Sequence, residues 1–293
     1  MTRYYQRDIR EYQEEEAYGD ALLEKFYGGR LSFLRPILTH PLTSEILTIR
    51  DRLPSRASQQ KVAHFIHTYQ IDSDELVEKE FKSFSKFFTR TIKPSQRPRA
   101  QVPAAYAVAD AKLLVQDLSV DVHLTIKNQT YDLASLLQDE ETAALFKGGT
   151  ACIYRLGLED IHHYLVAEAG TVEKSKKISG KLHTVREIAQ SQHKIFKENK
   201  RTWTLLETTL GPVLQMEVGA LLVGKIINKD QARFDRGQEK GYFTLGGSTI
   251  LVLYPQGVLA VDDDIAEQSA QGIETQVKMG ERIGYVQTTQ HLL

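Results

Sequence analysis

Between Lys240 and Tyr254 the chain reads Lys-Gly-Tyr-Phe-Thr-Leu-Gly-Gly-Ser-Thr-Ile-Leu-Val-Leu-Tyr, two apolar runs joined by paired glycines. The second run is β-branched and too short for a stable isolated helix, so it demands a buried strand. The glycines supply backbone conformations that other residues resist. Read from residues alone, the segment is open to two interpretations. One is a β-hairpin or bulge, with Gly246 and Gly247 making the turn. In the other, the missing side chain lets the carbonyl of Gly247 approach the hydroxyl of Ser248. A deprotonated Ser248 attacks that carbonyl and converts the peptide bond to an ester. Elimination across Cα–Cβ then releases the upstream segment and leaves dehydroalanine, which hydrolyses to a pyruvoyl group.

The texture of the 293-residue chain changes near residue 100. Helical spacing is expected over Arg7–Tyr27, with Gly28-Gly29 as its stop, and again over Gln59–Tyr69 and Ser73–Thr89. Leu31–Ile49 is apolar and interrupted by Pro36 and Pro41. Beyond residue 100 come short apolar or alternating runs, such as 113–115, 151–154, 164–166, 202–206 and 248–254, separated by turn residues. Helices are expected for Ala134–Phe146 and Ile265–Gln271. The fold expected is α+β, a helical N-terminal region over 1–100 followed by a mostly antiparallel β domain over 101–293.

The 37 basic and 38 acidic side chains leave a net charge of −1, which argues against nucleic acid as a partner. No run approaches the roughly 18 apolar residues of a membrane span, and the polar N-terminus has no signal-peptide core. Cys152, the single cysteine, lies in an apolar run and reads as buried filler. His64 and His67 share a helix face without a third ligand, and Asp262-Asp-Asp264 lacks the spacing of a calcium loop, so no metal is expected. Arg90, Lys93, Arg97 and Arg99 form either a linker or a contact for lipid headgroups or substrate phosphate. Leu31–Leu38 either rests on a bilayer or packs on the β domain.

Five stretches, in order, resemble the bacterial phosphatidylserine decarboxylase proenzymes: Phe84–Pro94 with Arg97-Pro98, Ile195–Arg201, Met216–Gly224, Lys240–Thr249 and Thr275–Glu281. Tyr4–Arg7 is a weaker echo. The resemblance implies cleavage between Gly247 and Ser248, leaving chains of residues 1–247 and 248–293. Ser248 would be the nucleophile and the source of the pyruvoyl cofactor, and Gly247 the acyl donor. The pyruvoyl ketone would form a Schiff base with phosphatidylserine, release CO₂ and yield phosphatidylethanolamine. The partners implied are phosphatidylserine, an anionic membrane surface and the α and β chains of one proenzyme; a homodimer is compatible with it. The place implied is cytoplasmic, peripheral at the inner face of the cell membrane.

The likeness carries an Asp and a His that activate the serine as a charge relay. Asp110, within Val108-Ala-Asp-Ala111, keeps the carboxylate without the family's flanking Pro and Gly. In Asp160-Ile-His-His-Tyr-Leu-Val, His162 matches the family's first histidine, whereas Leu165 stands where the family has its second, the self-cleavage base. If 164–166 is a strand, residues 163 and 165 share a face, making His163 the candidate substitute. The resemblance thus assigns orientation to Asp110 and proton transfer to His162 or His163. Two alternatives stay open: decarboxylation of a soluble amino acid, and a non-cleaving lipid-binding relative.

Overall fold

The computed structural model describes residues 3–15, 20–118, 123–126, 129–184, 189, 194–221, 225–245 and 248–287. Its framework is a ten-stranded sheet. In spatial order the strands are Arg233–Phe234, Gly170–Ile178, Arg201–Thr208, Gly211–Gly219, Ser248–Tyr254, Thr150–Leu156, Ala111–Asp117, Glu274–Val277, Arg3–Gln6 and Glu11–Glu14. All neighbours pair antiparallel except Arg3–Gln6 with Glu274–Val277. Ser248–Tyr254 runs through the middle and is buried on both faces. Ile250, Val252 and Tyr254 enter one core with Tyr154, Leu113 and Val213. Leu251 and Leu253 enter the other with Ile153, Leu214 and Trp203. Two-sided burial explains why the strand reads as an unbroken apolar run rather than an alternating one.

Two three-stranded sheets flank this framework: Ile226–Asn228, Glu239–Phe243 and His163–Leu165 form one, and Leu259–Val261, Arg282–Val286 and Ala104–Tyr106 the other. The placement of Glu239–Phe243 corrects the hairpin reading. It pairs with Ile226–Asn228 and His163–Leu165, whereas Ser248–Tyr254 pairs with Gly211–Gly219 and Thr150–Leu156. The glycine-bearing link therefore joins two different sheets; Gly246 and Gly247 themselves lie outside the described residues.

The α+β expectation holds, with helices at Asp20–Tyr27, Pro41–Arg52, Arg56–Thr68 and Phe84–Phe88 before the sheets. Pro41 begins its helix, where its missing N–H costs nothing. Elsewhere tertiary contacts override periodicity. The expected helix over Arg7–Tyr27 is corrected: Arg3–Gln6 and Glu11–Glu14 form a hairpin on the large sheet, and among the described residues the helix there is Asp20–Tyr27. Tyr4, Tyr5 and Tyr12 are strand formers that gain ladder partners there. Over Ser73–Thr89 a 3₁₀ turn at Ser73–Glu75 and a short helix replace one long helix. Ser83 caps the short helix by accepting from the Lys86 amide, and Phe84, Phe87 and Phe88 surround themselves with Val62, Phe65, Ile161 and Leu245. Rings needing partners on several sides cannot sit on one helix face. Ala134–Phe146 likewise splits at Gln138 (φ 52°) into Leu133–Leu137 and Glu140–Ala144, the second capped by Asp139.

Candidate active site

Ser248 is the first residue of the central strand, paired across to Gly219 on one side and Leu156 on the other. It is fully buried, and its Oγ has no hydrogen-bond partner among the described residues. A buried hydroxyl left without any partner costs about 1–3 kcal/mol. Its side chain shares a face with Ile250 and Val252, and therefore with Leu156 and Ala111.

Asp110 precedes the strand two places along the sheet, about 10 Å from Ser248 at the usual strand spacing. Its carboxylate is fully used. Oδ1 accepts from the Met279 amide at 2.7 Å and from Arg97 Nε at 2.9 Å, and Oδ2 from Arg97 Nη2 at 2.8 Å. Glu75 holds the same guanidinium at 3.1 Å. Asp110 thus bonds neither His162 nor His163. Arg97 is tied into the fold rather than offered to a headgroup, and so is Arg90, buried against the Glu159 carbonyl and the Phe87 ring.

His162 is fully buried, its ring 4.1 Å from that of Phe88. Nδ1 lies 2.9 Å from the Asp160 carbonyl oxygen. A carbonyl only accepts, so Nδ1 carries the proton and Nε2 is the nitrogen able to receive one. The Asp160 carboxylate beneath it accepts from the Gly157 amide at 2.7 Å and sits 3.3 Å from Lys112 Nζ. Burial raises it to about 6, against the pull of Lys112.

His163 is placed differently. Nδ1 faces Glu239 Oε2 at 3.0 Å, Nε2 faces the Thr89 carbonyl at 3.2 Å, and the ring stacks on Tyr242. Both neighbours are acceptors, so both ring nitrogens are directed at Glu239 and Thr89. Leu165 lies opposite Glu239 in the strand pairing and is 3% exposed. With Arg97, Arg99, Ile161, His163 and Glu239 it lines a cavity of about 540 Å³.

A polar cluster beside Ser248 was not anticipated. Glu217 is 0% and Lys240 1% exposed, and they pair at 2.6 Å. The other Glu217 oxygen accepts from Asn228 Nδ2 at 2.8 Å, and Tyr164 OH donates to Asn228 Oδ1 at 2.6 Å. The signal available was Gln215 and Glu217 alternating with apolar neighbours in Val213–Val218, polar side chains on a strand buried on both faces. Cys152 is buried as expected, burial pushing its thiol up to about 12. Asp262 and Asp264 pair with Arg7 at 3.1 and 2.6 Å.

The phosphatidylserine decarboxylase family profile matches residues 84–285. The phosphatidylserine decarboxylase proenzyme 2 of Clostridium acetobutylicum is 40% identical over 285 residues, covering 96% of this chain and 97% of that protein. Phosphatidylserine decarboxylase proenzymes of Desulfitobacterium hafniense and Ruminiclostridium cellulolyticum are each 34% identical, over 97% of this chain and 98% and 97% of theirs.

Proposed function

The chain belongs to the phosphatidylserine decarboxylase family, and from that premise we propose that it is a proenzyme that cleaves itself before Ser248 and decarboxylates phosphatidylserine to phosphatidylethanolamine. The observation that carries this is the buried Ser248 Oγ, without a hydrogen-bond partner among the described residues, at the start of the central strand directly after the Gly246-Gly247 link between two sheets.

In self-cleavage the Ser248 oxygen bonds to the Gly247 carbonyl carbon as the peptide C–N bond breaks, and the hydroxyl proton passes to the freed nitrogen. Loss of the Cα proton then expels the Gly247 carboxylate. The dehydroalanine so formed takes up one water and releases ammonia to give the pyruvoyl group, while burial of Ser248 limits water at the earlier ester. The orphaned hydroxyl fits a pyruvoyl precursor, and the pyruvoyl group supplies a ketone that condenses with the substrate amine and takes up the electron pair left as CO₂ departs. Proton transfer is assigned to His162, whose Nδ1 is held by the Asp160 carbonyl, which fixes the ring's orientation. His163 is left to pin its strand to Glu239 and Thr89. Asp110 orients the site through Arg97 and the Met279 amide.

A membrane-surface setting is supported by the helix Pro41–Arg52, which is amphipathic in the inverse sense. Ser44 and Thr48 are buried, whereas Leu42 and Ile46 are 64% and 66% exposed. Ile49 and Leu53 continue that stripe with Arg50 and Arg52 among them, and Phe33 and Ile37 in the preceding turns are exposed as well. Among the described residues no helix is long and apolar enough to cross a membrane.

Intact-mass analysis tests the reading. Wild type should resolve into residues 1–247 and an N-terminally blocked 248–293 piece, and Ser248→Ala should persist as a single 33 kDa chain. A wild-type chain that stays whole on incubation sinks it. Assay of the cleaved protein on phosphatidylserine vesicles and on free serine distinguishes the lipid substrate from an amino acid.

A further inference from the structure

Self-cleavage requires the carbonyl before Ser248 to be held against its hydroxyl, yet the two flanking strands belong to different sheets. Glu239–Phe243 ends the small sheet's contribution, Ser248–Tyr254 begins in the large sheet, and residues 244–247 are all that connect them. A four-residue link alone sets no unique geometry. The Glu217–Lys240 pair spans the same gap. Lys240 lies in the strand that leads into the link. Glu217 lies in the strand paired with the serine strand, opposite Ile250 and two residues from Gly219, the residue opposite Ser248. Ser248, Ile250 and Glu217 therefore share one face, and Glu217 is the diagonal neighbour of Ser248, at a Cβ separation of about 7 Å.

The cluster is built to keep that cross-link in place. Glu217 is fixed through its second oxygen by Asn228, which Tyr164 holds in turn, so all three strands of the small sheet converge on one carboxylate of the large sheet. Gly241, next to Lys240, makes the approach possible, since a Cβ there would stand 2.9 Å from Tyr164 OH and 2.7 Å from Asn228 Oδ1. As a stabilising contact the pair is an expensive choice. Both partners are removed from water, burial draws Lys240 below its usual value, and an apolar pair of similar volume would serve folding as well. Among the described residues Lys240 Nζ, moreover, makes a single hydrogen bond although it carries three donors.

We propose that Glu217 and Lys240 are positioning residues for self-cleavage: their ion pair clamps the strand leading into the scissile link onto the strand beside Ser248, setting the approach of carbonyl and hydroxyl. This rests on the self-cleaving reading above. Loss of the clamp displaces the carbonyl without removing any group that reacts, so cleavage slows while the fold persists.

The test is a cleavage time course, by intact mass, on freshly purified chains of wild type, Lys240→Met, Lys240→Arg and the double variant Glu217→Leu/Lys240→Met. The double variant keeps the volume and removes both charges, so its melting temperature should stay near that of wild type. Its cleavage should slow by roughly tenfold or more, as misplacement of reacting atoms by an ångström does. Lys240→Arg, which retains the charge, should recover part of the rate lost in Lys240→Met; a structural contact alone would not separate rate from stability in this way. Asn228→Ala, milder because it removes one hydrogen bond from Glu217, should slow cleavage severalfold and keeps the question answerable if the buried variants fail to fold. A double variant that folds and cleaves at the wild-type rate overturns the clamp. A wild-type chain that never cleaves overturns the self-cleaving reading and the clamp with it.

Discussion

Leu165 poses the sharpest question about chemistry at a single position. Its side chain lines the cavity with His163 and Glu239, and it lies opposite Glu239 in the strand pairing. An imidazole placed there would have a carboxylate across the strands to orient it, the arrangement that makes histidine an effective base. Leu165→His should therefore quicken self-cleavage severalfold near neutral pH, followed as appearance of the 248–293 fragment. An unchanged rate would mean that His162 already meets the need for proton transfer. Glu168 offers a stability counterpart. Burial raises its carboxyl from 4.5 to about 7, Arg236 opposing. Because the folded-state value is the higher one, its favourable contribution is complete below pH 4.5 and is lost as pH rises through 7. Above that pH the fold holds a poorly solvated charge. Glu168→Gln should stabilise the protein by about 2–3 kcal/mol at pH 8 and leave thermal melting at pH 4 unchanged.

Among the elements, the helix Pro41–Arg52 departs furthest from what folding alone would select. Its apolar stripe faces outward and its buried contacts are Ser44 and Thr48. Replacing Leu42 and Ile46 by Glu should therefore cost almost nothing in thermal stability. The same change should abolish sedimentation with vesicles containing phosphatidylserine, because it removes the apolar contact and adds repulsion from an anionic surface. Retained binding would place the membrane contact elsewhere. The short helix Phe84–Phe88 shows the opposite logic. Three phenyl rings within five residues are all buried, and Phe88 supports the ring of His162. A motif that reads as helical amphipathicity is here the floor of the site.

Across the whole molecule, cleavage before Ser248 would release a fragment with the central strand, the helix Asp263–Ala270 and the strands Leu259–Val261, Glu274–Val277 and Arg282–Val286. Ser248–Tyr254 is hydrogen-bonded on both edges and buried on both faces, and Glu274–Val277 lies between Ala111–Asp117 and Arg3–Gln6. Arg155 Nη2 adds a buried ion pair to Glu274 at 2.5 Å. The cleaved chains should co-elute as one particle on size-exclusion chromatography and separate only in denaturant. Spontaneous loss of the 248–293 piece in buffer would contradict this.

Much of this protein could be read from its residues. Ser248–Tyr254 had to be a buried strand because the six apolar or β-branched residues after the serine leave no polar face for water. The α+β order followed from where periodicity changes, whereas the glycine pair alone left a hairpin open and it was the resemblance of five ordered stretches that pointed to Ser248. The positions of the partners could not be read in the same way. Asp110 pairs with Arg97, His163 is held between Glu239 and Thr89, and Glu217 meets Lys240 across two sheets. None of these contacts is local, and a side chain's hydrogen bonds depend on which distant strand the fold brings beside it. Period and propensity are properties of neighbours along the chain. The geometry of a reacting group is set by neighbours in space, and only the packed sheets supply them.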